Sequence, residues 1–433
     1  MVSPKRFLGM WSATSIGIGS MLAAGIFSIF GTATVIAGNA VYVAFIIAGG
    51  VALLNAYSYS ELGVRYSSPG GPVEFIVKGL GNNILSGGLN ILLWLTYILG
   101  VALYAKGFAS YAMTFLPAGS SQIWANLLSS LIIVFFAAIN FIGLRMFARS
   151  QLLITALKLV LLLMFSIVGL FFIDTGNLST TKWPPVYDII YCAGIIFFIF
   201  QGFGLISTAS RDIKYPGAVL PRAIYLSVLT VLLVSVLTGL TVIGNLSMSE
   251  IIQAGDFVIA AASEPFMGSF GFRLLAITAL FSTSAGINAL LYGGANVSYL
   301  LAKHGELPET FETEVWKESR EGLFITTAFA VILVNLLELE GIGISGSLFL
   351  IVIYLAVNLA NLCLLNRSVF SSFVIRITLI CNIAFLFFNV YYISQRSVMF
   401  LFLFITVIAA CFIAEWVYRR YSGRSYTFEN QNS

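Results

Sequence analysis

Charge is the scarcest feature of this chain. Only 9% of its 433 residues are Asp, Glu, Lys or Arg, against 59% hydrophobic, whereas soluble domains carry about a quarter charged residues. So few charges cannot cover a water-exposed surface of this size, which excludes a soluble protein. The net charge of +4 is too small and dispersed for nucleic-acid binding. A single histidine, His304, stands in a polar loop with Glu306 and Glu309, where a surface role is expected. No His-Glu-x-x-His pattern and no paired carboxylates occur at depth, so neither an enzyme nor a bound metal is expected. The four cysteines, Cys192, Cys363, Cys381 and Cys411, lie in apolar runs without metal-ligand spacing. They read as small residues on helix surfaces, not as a disulfide framework.

What is abundant is apolar sequence in long runs. A membrane-spanning helix needs about 20 predominantly apolar residues to cross a core of about 30 Å. Twelve segments meet that length: 8–36, 41–63, 84–116, 123–142, 150–173, 188–210, 221–244, 270–302, 322–339, 344–365, 372–393 and 398–418. Gly, Pro, Asn or charges mark the boundaries, as in Ser68-Pro69-Gly70-Gly71-Pro72 and Trp183-Pro184-Pro185. The first run is too long for a secretory leader and reads as a span. The expected fold is therefore an all-α integral membrane bundle. No repeated ring of polar residues suggests a permanent pore.

The basic residues orient the bundle, because cytoplasmic loops hold an excess of Lys and Arg. With the N-terminus inside, seventeen of the 22 fall on the inner side, among them Lys5, Arg6, Arg65, Lys78, Arg145, Lys303, Lys317, Arg367, Arg419 and Arg424. Lys182, Arg273 and Arg396 fall outside, and Lys106 and Lys158 lie within spans. Both termini are expected in the cytoplasm, with the chain in the cell membrane.

Two spans differ from the rest. The first carries Gly17-Ile-Gly19-Ser20-Met21-Leu22-Ala23-Ala24-Gly25-Ile26-Phe27 at mid-depth, and the sixth carries Phe197-Phe198-Ile199-Phe200-Gln201-Gly202-Phe203-Gly204. Each glycine costs up to about 1 kcal/mol in a helix relative to alanine. Close helix packing is one reason to keep small residues. Their occurrence in the first helix of each of two five-helix blocks favours another: interrupted helices at matching positions of an inverted repeat, with a binding site between them. Half-helix N-termini there face an anion, and released carbonyls face a cation or ammonium group.

At these residues the chain resembles the amino acid–polyamine–organocation (APC) superfamily. Gly19-Ser-Met-Leu-Ala-Ala-Gly25-Ile-Phe27 is similar to its first-helix motif, and Tyr59-Ser-Glu61-Leu-Gly with Gly70-Gly-Pro72 to the stretch after helix two. Phe197-Phe with Gly202-Phe, Pro216 and Leu220-Pro-Arg222-Ala-Ile224 resembles the sixth-helix signature. Asn140…Gly143 with Thr155…Lys158, and Phe281-Ser-Thr…Asn288…Gly305-Glu-Leu-Pro308, add two more. Within the superfamily, Gly25-Ile-Phe-Ser-Ile-Phe-Gly31, Ala105-Lys106-Gly107-Phe108-Ala109 and Tyr292-Gly-Gly-Ala-Asn296-Val are similar to archaeal, sodium-independent, proton-coupled amino-acid transporters. The resemblance is carried by helices one to eight. Helices nine to twelve agree mainly in number and length.

The resemblance implies a LeuT-like fold: two intertwined five-helix inverted repeats (1–182 and 183–366), then two peripheral helices and a tail (367–433). The implied activity is uptake of small or medium neutral amino acids, with a proton as coupling ion, no other cofactor and no obligatory protein partner. Gly204 stands where the family often has an acidic residue, which argues against cationic substrates; Ala23 stands where it often has glycine. The implied substrate site comprises Gly19, Ser20, Met21, Leu22, Ala23, Ala24 and Gly25 with Phe198, Ile199, Phe200 and Gln201. Phe198 would be an aromatic lid, with Phe200 and Phe203 as packing. Gln201 would contact either the substrate or unwound backbone.

Lys158 is the most informative single residue. It lies about 11 Å into helix five at about 1.5 Å per residue, and a charge at that depth is a functional suspect. A lysine snorkelling to the interface is the bland alternative. Burial disfavours the charged form of an amine, which makes such a lysine a candidate proton carrier. In sodium-coupled relatives helices one, five and eight enclose a sodium ion at the matching place, and an ammonium would mimic it. Gly19 C=O with Ser282 or Thr283 would accept its hydrogen bonds. Lys106 would either line an outer vestibule or snorkel. The competing readings are a sodium-coupled symporter or an exchanger on the same fold, and a non-transporting amino-acid sensor.

Overall fold

In a bilayer the backbone has no water to bond with, so an apolar chain of this kind must satisfy its N–H and C=O groups within helices. The computed structural model describes residues 6–68, 70–117, 121–142, 147–312, 314–316, 319–364, 369–396 and 398–422. Lys5, Arg145, Lys317, Arg367 and Arg424, counted above for orientation, lie outside them, as do Pro69 and Gly143.

Among the described residues, ten helical segments are long and apolar enough to cross a membrane, and Gly322–Leu336 is a shorter apolar helix. The first segment, Met10–Arg65, is 56 residues long and is subdivided. It comprises α1 (Met10–Ala24), a π-helical turn at Gly25–Ile29, α2 (Phe30–Ala37), a 3-10 turn at Gly38–Ala40 and α3 (Val41–Arg65). Gly38, with φ +50°, ends α2 in a conformation that other residues rarely adopt. There follow the short α4 (Pro72–Leu80), then α5 (Ile84–Met113), α6 (Gln122–Ile142) and α7 (Phe147–Leu170). The next segment contains α8 (Val186–Ile196), a 3-10 stretch at Phe197–Phe203 and α9 (Gly204–Thr208). Beyond it lie α10 (Pro216–Asn245), the short α11 (Met248–Ala254) and α12 (Val258–Ala261), and the 40-residue α13 (Glu264–Lys303). The chain closes with α14 (Glu321–Leu336), α15 (Leu339–Cys363), α16 (Val369–Arg396) and α17 (Val398–Ser422).

The sequence pattern alone misses several pieces. The helices α4, α11 and α12 are too short to register as spans. A small antiparallel hairpin pairs β1 (Glu314–Trp316) with β2 (Ser319–Arg320). α13 is kinked at Gly268, whose φ of +61° is not helical. A short turn from Glu264, with Pro265 in it, therefore precedes the continuous helix, which follows the kink where the segment from 270 is expected.

Loop contacts sort the connections onto two faces. On one, Phe7 and Leu8 donate backbone bonds to Asp212 O, both at 3.0 Å, and Lys214 N returns one to Leu8 O at 2.9 Å. The same face holds Arg65 on Leu364 O (3.3 Å), His304 on Glu74 (3.5 Å) and Arg419 on Asn82. Both described chain ends therefore share a face, together with most of the basic loop residues. On the other, Asp174 N bonds Gly244 O at 2.8 Å, Ser110 Oγ bonds Asp256 at 2.8 Å, and Asn39 reaches Asn177.

The centre is built from α1, the 3-10 stretch, α5 and α13, while α16 and α17 lie outside. The window spanning Val186–Thr208 is 94% buried within the protein, against 17% for Val398–Tyr421. Between α3, α15 and α16 lies a buried amide network. Asn55 Nδ2 donates to Asn382 Oδ1 (3.1 Å), while Asn358 and Asn382 donate to Asn55 Oδ1 (2.7 and 2.8 Å). Ser58 and Asn361 extend it to Glu61. Asn55 and Asn358 also donate to Val51 O and Tyr354 O of their own helices, and the amide–amide bonds between them tie the three helices together.

Candidate functional site

The two interrupted helices meet at their irregular turns. α1 gives way at Gly25 to π-helical backbone, and α8 gives way at Phe197 to seven residues of 3-10 helix. Both turns remain helical, a milder break than the open unwinding expected above. They touch closely: a Cβ on Gly202 would lie 2.7 Å from Met21 N and 3.0 Å from Ser20 Cβ. Gly286 of α13 is held as tightly, where a Cβ would meet Ala23 Cβ at 2.5 Å and the Tyr104 ring. Glycine stands at both positions because the neighbouring backbone at Gly202, and Ala23 with the Tyr104 ring at Gly286, leave no room for a side chain.

Gly19, Ser20, Met21, Leu22 and Ala23 are all buried, as are Phe198, Ile199, Phe200 and Gln201. Ala24 closes α1 and Gly25 opens the π-helical turn. Several carbonyls in these turns already accept from protein hydroxyls: Ser20 O from Tyr104 (3.1 Å), Ala23 O from Ser28 (3.4 Å) and Phe200 O from Tyr354 (3.3 Å). Ser20 Oγ on the first interrupted helix and Gln201 Nε2 on the second are among the buried polar atoms that lack a hydrogen-bond partner among the described residues. Buried polar groups are nearly always bonded, so each of the two facing helices keeps a hydrogen-bonding group unused by the protein. Phe198 packs its ring against Gly346 of α15, within 2.6–2.9 Å of where a Cβ would stand. Phe203 joins an aromatic cluster with Tyr59 (5.1 Å between ring centres) and Tyr354 (5.5 Å, stacked).

Lys158 of α7 is only 2% exposed. Its Nζ donates to Gly19 O at 2.6 Å and to Ser282 Oγ at 3.3 Å, joining α7 to α1 and α13. One turn away, Thr155 Oγ1 reaches Ser15 O at 3.4 Å. Of the two acceptors expected on α13, Ser282 takes the lysine, whereas Thr283 turns its hydroxyl to Ala279 O (2.8 Å) within its own helix. Lys106 does not snorkel free: its Nζ lies 3.4 Å from Asn126 Oδ1 of α6. Asn140 and Asn288, from two separate motifs, hydrogen-bond across α6 and α13.

The expectation of a surface His304 is overturned. The residue is 5% exposed, its Nε2 3.5 Å from Glu74, and neighbouring Glu306 is buried against Asn90. A helix C-terminus that turns back into the bundle looks like a polar loop in sequence. Glu74 feels burial pushing its carboxyl up. The His304 hydrogen bond and the charges of His304 and Lys78 outweigh it and hold the carboxyl below the usual range. One turn apart on α17, Glu415 and Arg419 pair at 2.9 Å. Sequence reasoning also missed Tyr104 and Tyr354. Each is a tyrosine in an apolar run whose hydroxyl needs a buried acceptor, and that need was the available signal.

A multi-pass helical bundle with two facing interrupted helices and a buried polar centre has the build of a membrane transporter. The chain matches the amino acid permease family model over residues 8–426. It is 42% identical over 364 residues to an uncharacterized protein of Methanocaldococcus jannaschii, covering 84% of each chain. It is 31% identical over 351 residues to the inner membrane transport protein YbaT of Escherichia coli, covering 81% of this chain and 82% of that one. A more distant relative is the branched-chain amino acid permease BcaP of Bacillus subtilis, at 25% identity over 331 residues, 71% and 69% of the two chains. The chain belongs to the amino acid permease family of the APC superfamily, and it is a transporter, not an enzyme.

Proposed function

We propose that this protein takes up small or medium neutral amino acids across the cell membrane by proton-coupled, sodium-independent alternating access, with Lys158 carrying the coupling proton. The observation that carries the coupling is the Lys158 bridge, an ammonium donating to Gly19 O at 2.6 Å and Ser282 Oγ at 3.3 Å. A cation set between three helices does the work of a bound sodium ion. With its proton, Lys158 ties α7 to α1 and α13 and favours the substrate-accepting state. Without it, the tie is lost and the inward-facing state follows.

The substrate's carboxylate meets the backbone of Ala23, Ala24 and Gly25, and its ammonium meets carbonyls of the two turns, with Gly19 to Leu22 and Phe198 to Gln201 completing the pocket. The orphan Ser20 Oγ and Gln201 Nε2 support this placement. No Asp or Glu occurs in 10–37 or 189–210, which favours neutral side chains.

The fold reading is twelve spans as two inverted repeats, 1–182 and 183–366, with 367–433 peripheral. The packing supports it, because contacts recur when spans five apart are exchanged. α3 meets α10 and α5 meets α13, pairs that map onto themselves; α5–α6 maps onto α13–α14, α5–α14 onto α13–α6, and α1–α7 onto α8–α15. Both termini are cytoplasmic on this reading, since they share the face that collects the basic loops. A single copy holds both turns and Lys158, which favours a monomer.

The test is labelled alanine uptake into proteoliposomes with an inward proton gradient and no sodium. Accumulation abolished by a protonophore is the expected result. Uptake that appears only when sodium is added would overturn the coupling.

A further inference from the structure

The loop leaving α13 carries a carboxyl that the cycle above does not use. α13 ends in a glycine turn in which Gly305 has φ +74°. Gly305 N bonds Ala302 O at 2.9 Å and Glu306 N reaches back to Leu301 O at 2.8 Å, the double bond pattern of a helix closed by a left-handed residue. This turn sends Glu306 inward, 1% exposed, onto the fully buried Asn90 of α5. Asn90 Nδ2 donates to both carboxyl oxygens, at 3.1 and 3.0 Å. The other end of the same amide, Asn90 Oδ1, is buried with no hydrogen-bond partner among the described residues.

An ionised carboxylate has no proton to offer that oxygen, whereas a carboxylic acid is donor and acceptor at once. A turn of the Asn90 amide brings Oδ1 against one carboxyl oxygen while Nδ2 keeps the other. An acid then exchanges two hydrogen bonds with it and leaves neither buried end unmet. We propose that Glu306 is a second proton-binding site, protonated while its acid–amide clasp with Asn90 pins the α13–α14 loop to α5. Loss of the proton opens the clasp, because the carboxylate is then buried beside an amide oxygen it cannot satisfy.

The surrounding charges are mixed. His304 shares the loop, α4 brings Glu74 and Lys78 around His304, and α17 brings Glu415 and Arg419, which pair with each other at 2.9 Å. Lys303 and Glu309 are exposed, and this end of α5 carries no charge. Burial pushes the Glu306 carboxyl up to about 7; Glu415 adds to the rise, while His304, the Asn90 amide and Arg419 oppose it. The clasp lies on the face of Arg65, Lys78 and Arg419. The proposal relies on the topology read above only in assigning that face to the cytosol. Its effect is to let transport respond to internal pH through α13, the helix whose Ser282 receives Lys158.

The test begins with purified protein, without substrate or gradient, titrated from about pH 5 to about pH 9 by infrared difference spectroscopy. The expected result is a protonated-carboxyl band that disappears near neutrality and is missing from Glu306→Gln. Asn90→Leu should keep the band but displace it, because the carboxyl loses its amide partner. In proteoliposomes with the pH difference across the membrane held constant, raising internal pH from about 6 to about 8 should speed wild-type uptake several-fold, and Glu306→Gln, a permanent stand-in for the acid, by less than about twofold. The proposal is overturned if no titrating band depends on Glu306, if Asn90→Leu leaves the band unmoved, or if Glu306→Gln keeps the wild-type response. Lys158→Ala should lose accumulation and retain the band, which separates failure here from failure of the coupling reading.

Discussion

A methyl group on Gly202 would stand 2.7 Å from the backbone nitrogen of Met21, so the two interrupted helices touch backbone to backbone where substrate is proposed to bind. A backbone atom cannot swing aside as a side chain can. Gly202→Ala should therefore force the turns apart at a cost of about 1–3 kcal/mol. Uptake should fall by about fivefold to a hundredfold at that cost. Gly204→Ala is the control, since its Cβ would meet only the Tyr59 ring, at 3.5 Å, and should transport near wild type. Equal loss in both variants, measured at matched protein in proteoliposomes, would contradict the geometry.

The Lys158 bridge makes a second prediction by asymmetry. Ser282 accepts from the ammonium, while Thr283 bonds its own helix. Lys158→Ala should abolish proton-driven accumulation, and Ser282→Ala should weaken it by about tenfold or more, for loss of one hydrogen bond to a charged group worth about 1.5–3 kcal/mol. Thr283→Val should leave the response to the proton gradient unchanged. The pH profile of uptake is the readout, and a Thr283 variant as impaired as Ser282→Ala would contradict this assignment.

How much of this was legible in the sequence depended on the kind of signal. Apolar run length located the long helices, because backbone desolvation imposes it at every span. The glycines at 19, 25 and 202 pointed to the interrupted helices, and the depth of Lys158 to an internal role. Three-dimensional choices between near-equivalent residues were hidden. Nothing in the adjacent pair Ser282-Thr283 says which hydroxyl faces the lysine, since that depends on the rotation of α13. Burial of His304 and Glu306 was hidden too: a single left-handed residue, Gly305, reverses the chain, and the sequence there reads as an ordinary polar loop. Asn55, Asn358 and Asn382 were visible as amides in apolar runs, but not their convergence, because they are contributed by three distant helices.

That convergence can be tested by stability. Replacing Asn55 alone by leucine strips partners from both Asn358 and Asn382. Asn358 keeps Tyr354 O and Ser58, whereas Asn382 loses its bonds to Asn55 at both ends of its amide. A buried amide left unpaired costs about 1–3 kcal/mol. Asn55→Leu should lower the melting temperature in detergent by several degrees. The triple leucine variant should recover part of that loss, since removing all the polar groups together removes the unmet ones. A triple variant less stable than the single would show that the network contributes more than mutual satisfaction.

The two carboxyls at the α13 end predict opposite pH responses. Glu74 is held below the usual carboxylate range, burial pushing it up while His304 and Lys78 more than offset this. The folded state therefore binds its proton less readily than the unfolded chain. Its stabilisation is present above the ordinary carboxylate range and is lost as pH falls through the folded value. Glu306 is pushed by burial up to about 7, so the folded state holds its proton longer than the unfolded chain does. Its contribution is complete below the ordinary carboxylate range and is lost as pH rises to about 7, a loss of about 3 kcal/mol at about 1.4 kcal/mol per pH unit. Melting temperature against pH should therefore fall on both the acid and the neutral side of a maximum. Glu74→Gln should flatten the acid limb and Glu306→Gln the neutral one. A Glu306→Gln curve that still declines toward neutrality by the wild-type amount would place the titrating group elsewhere.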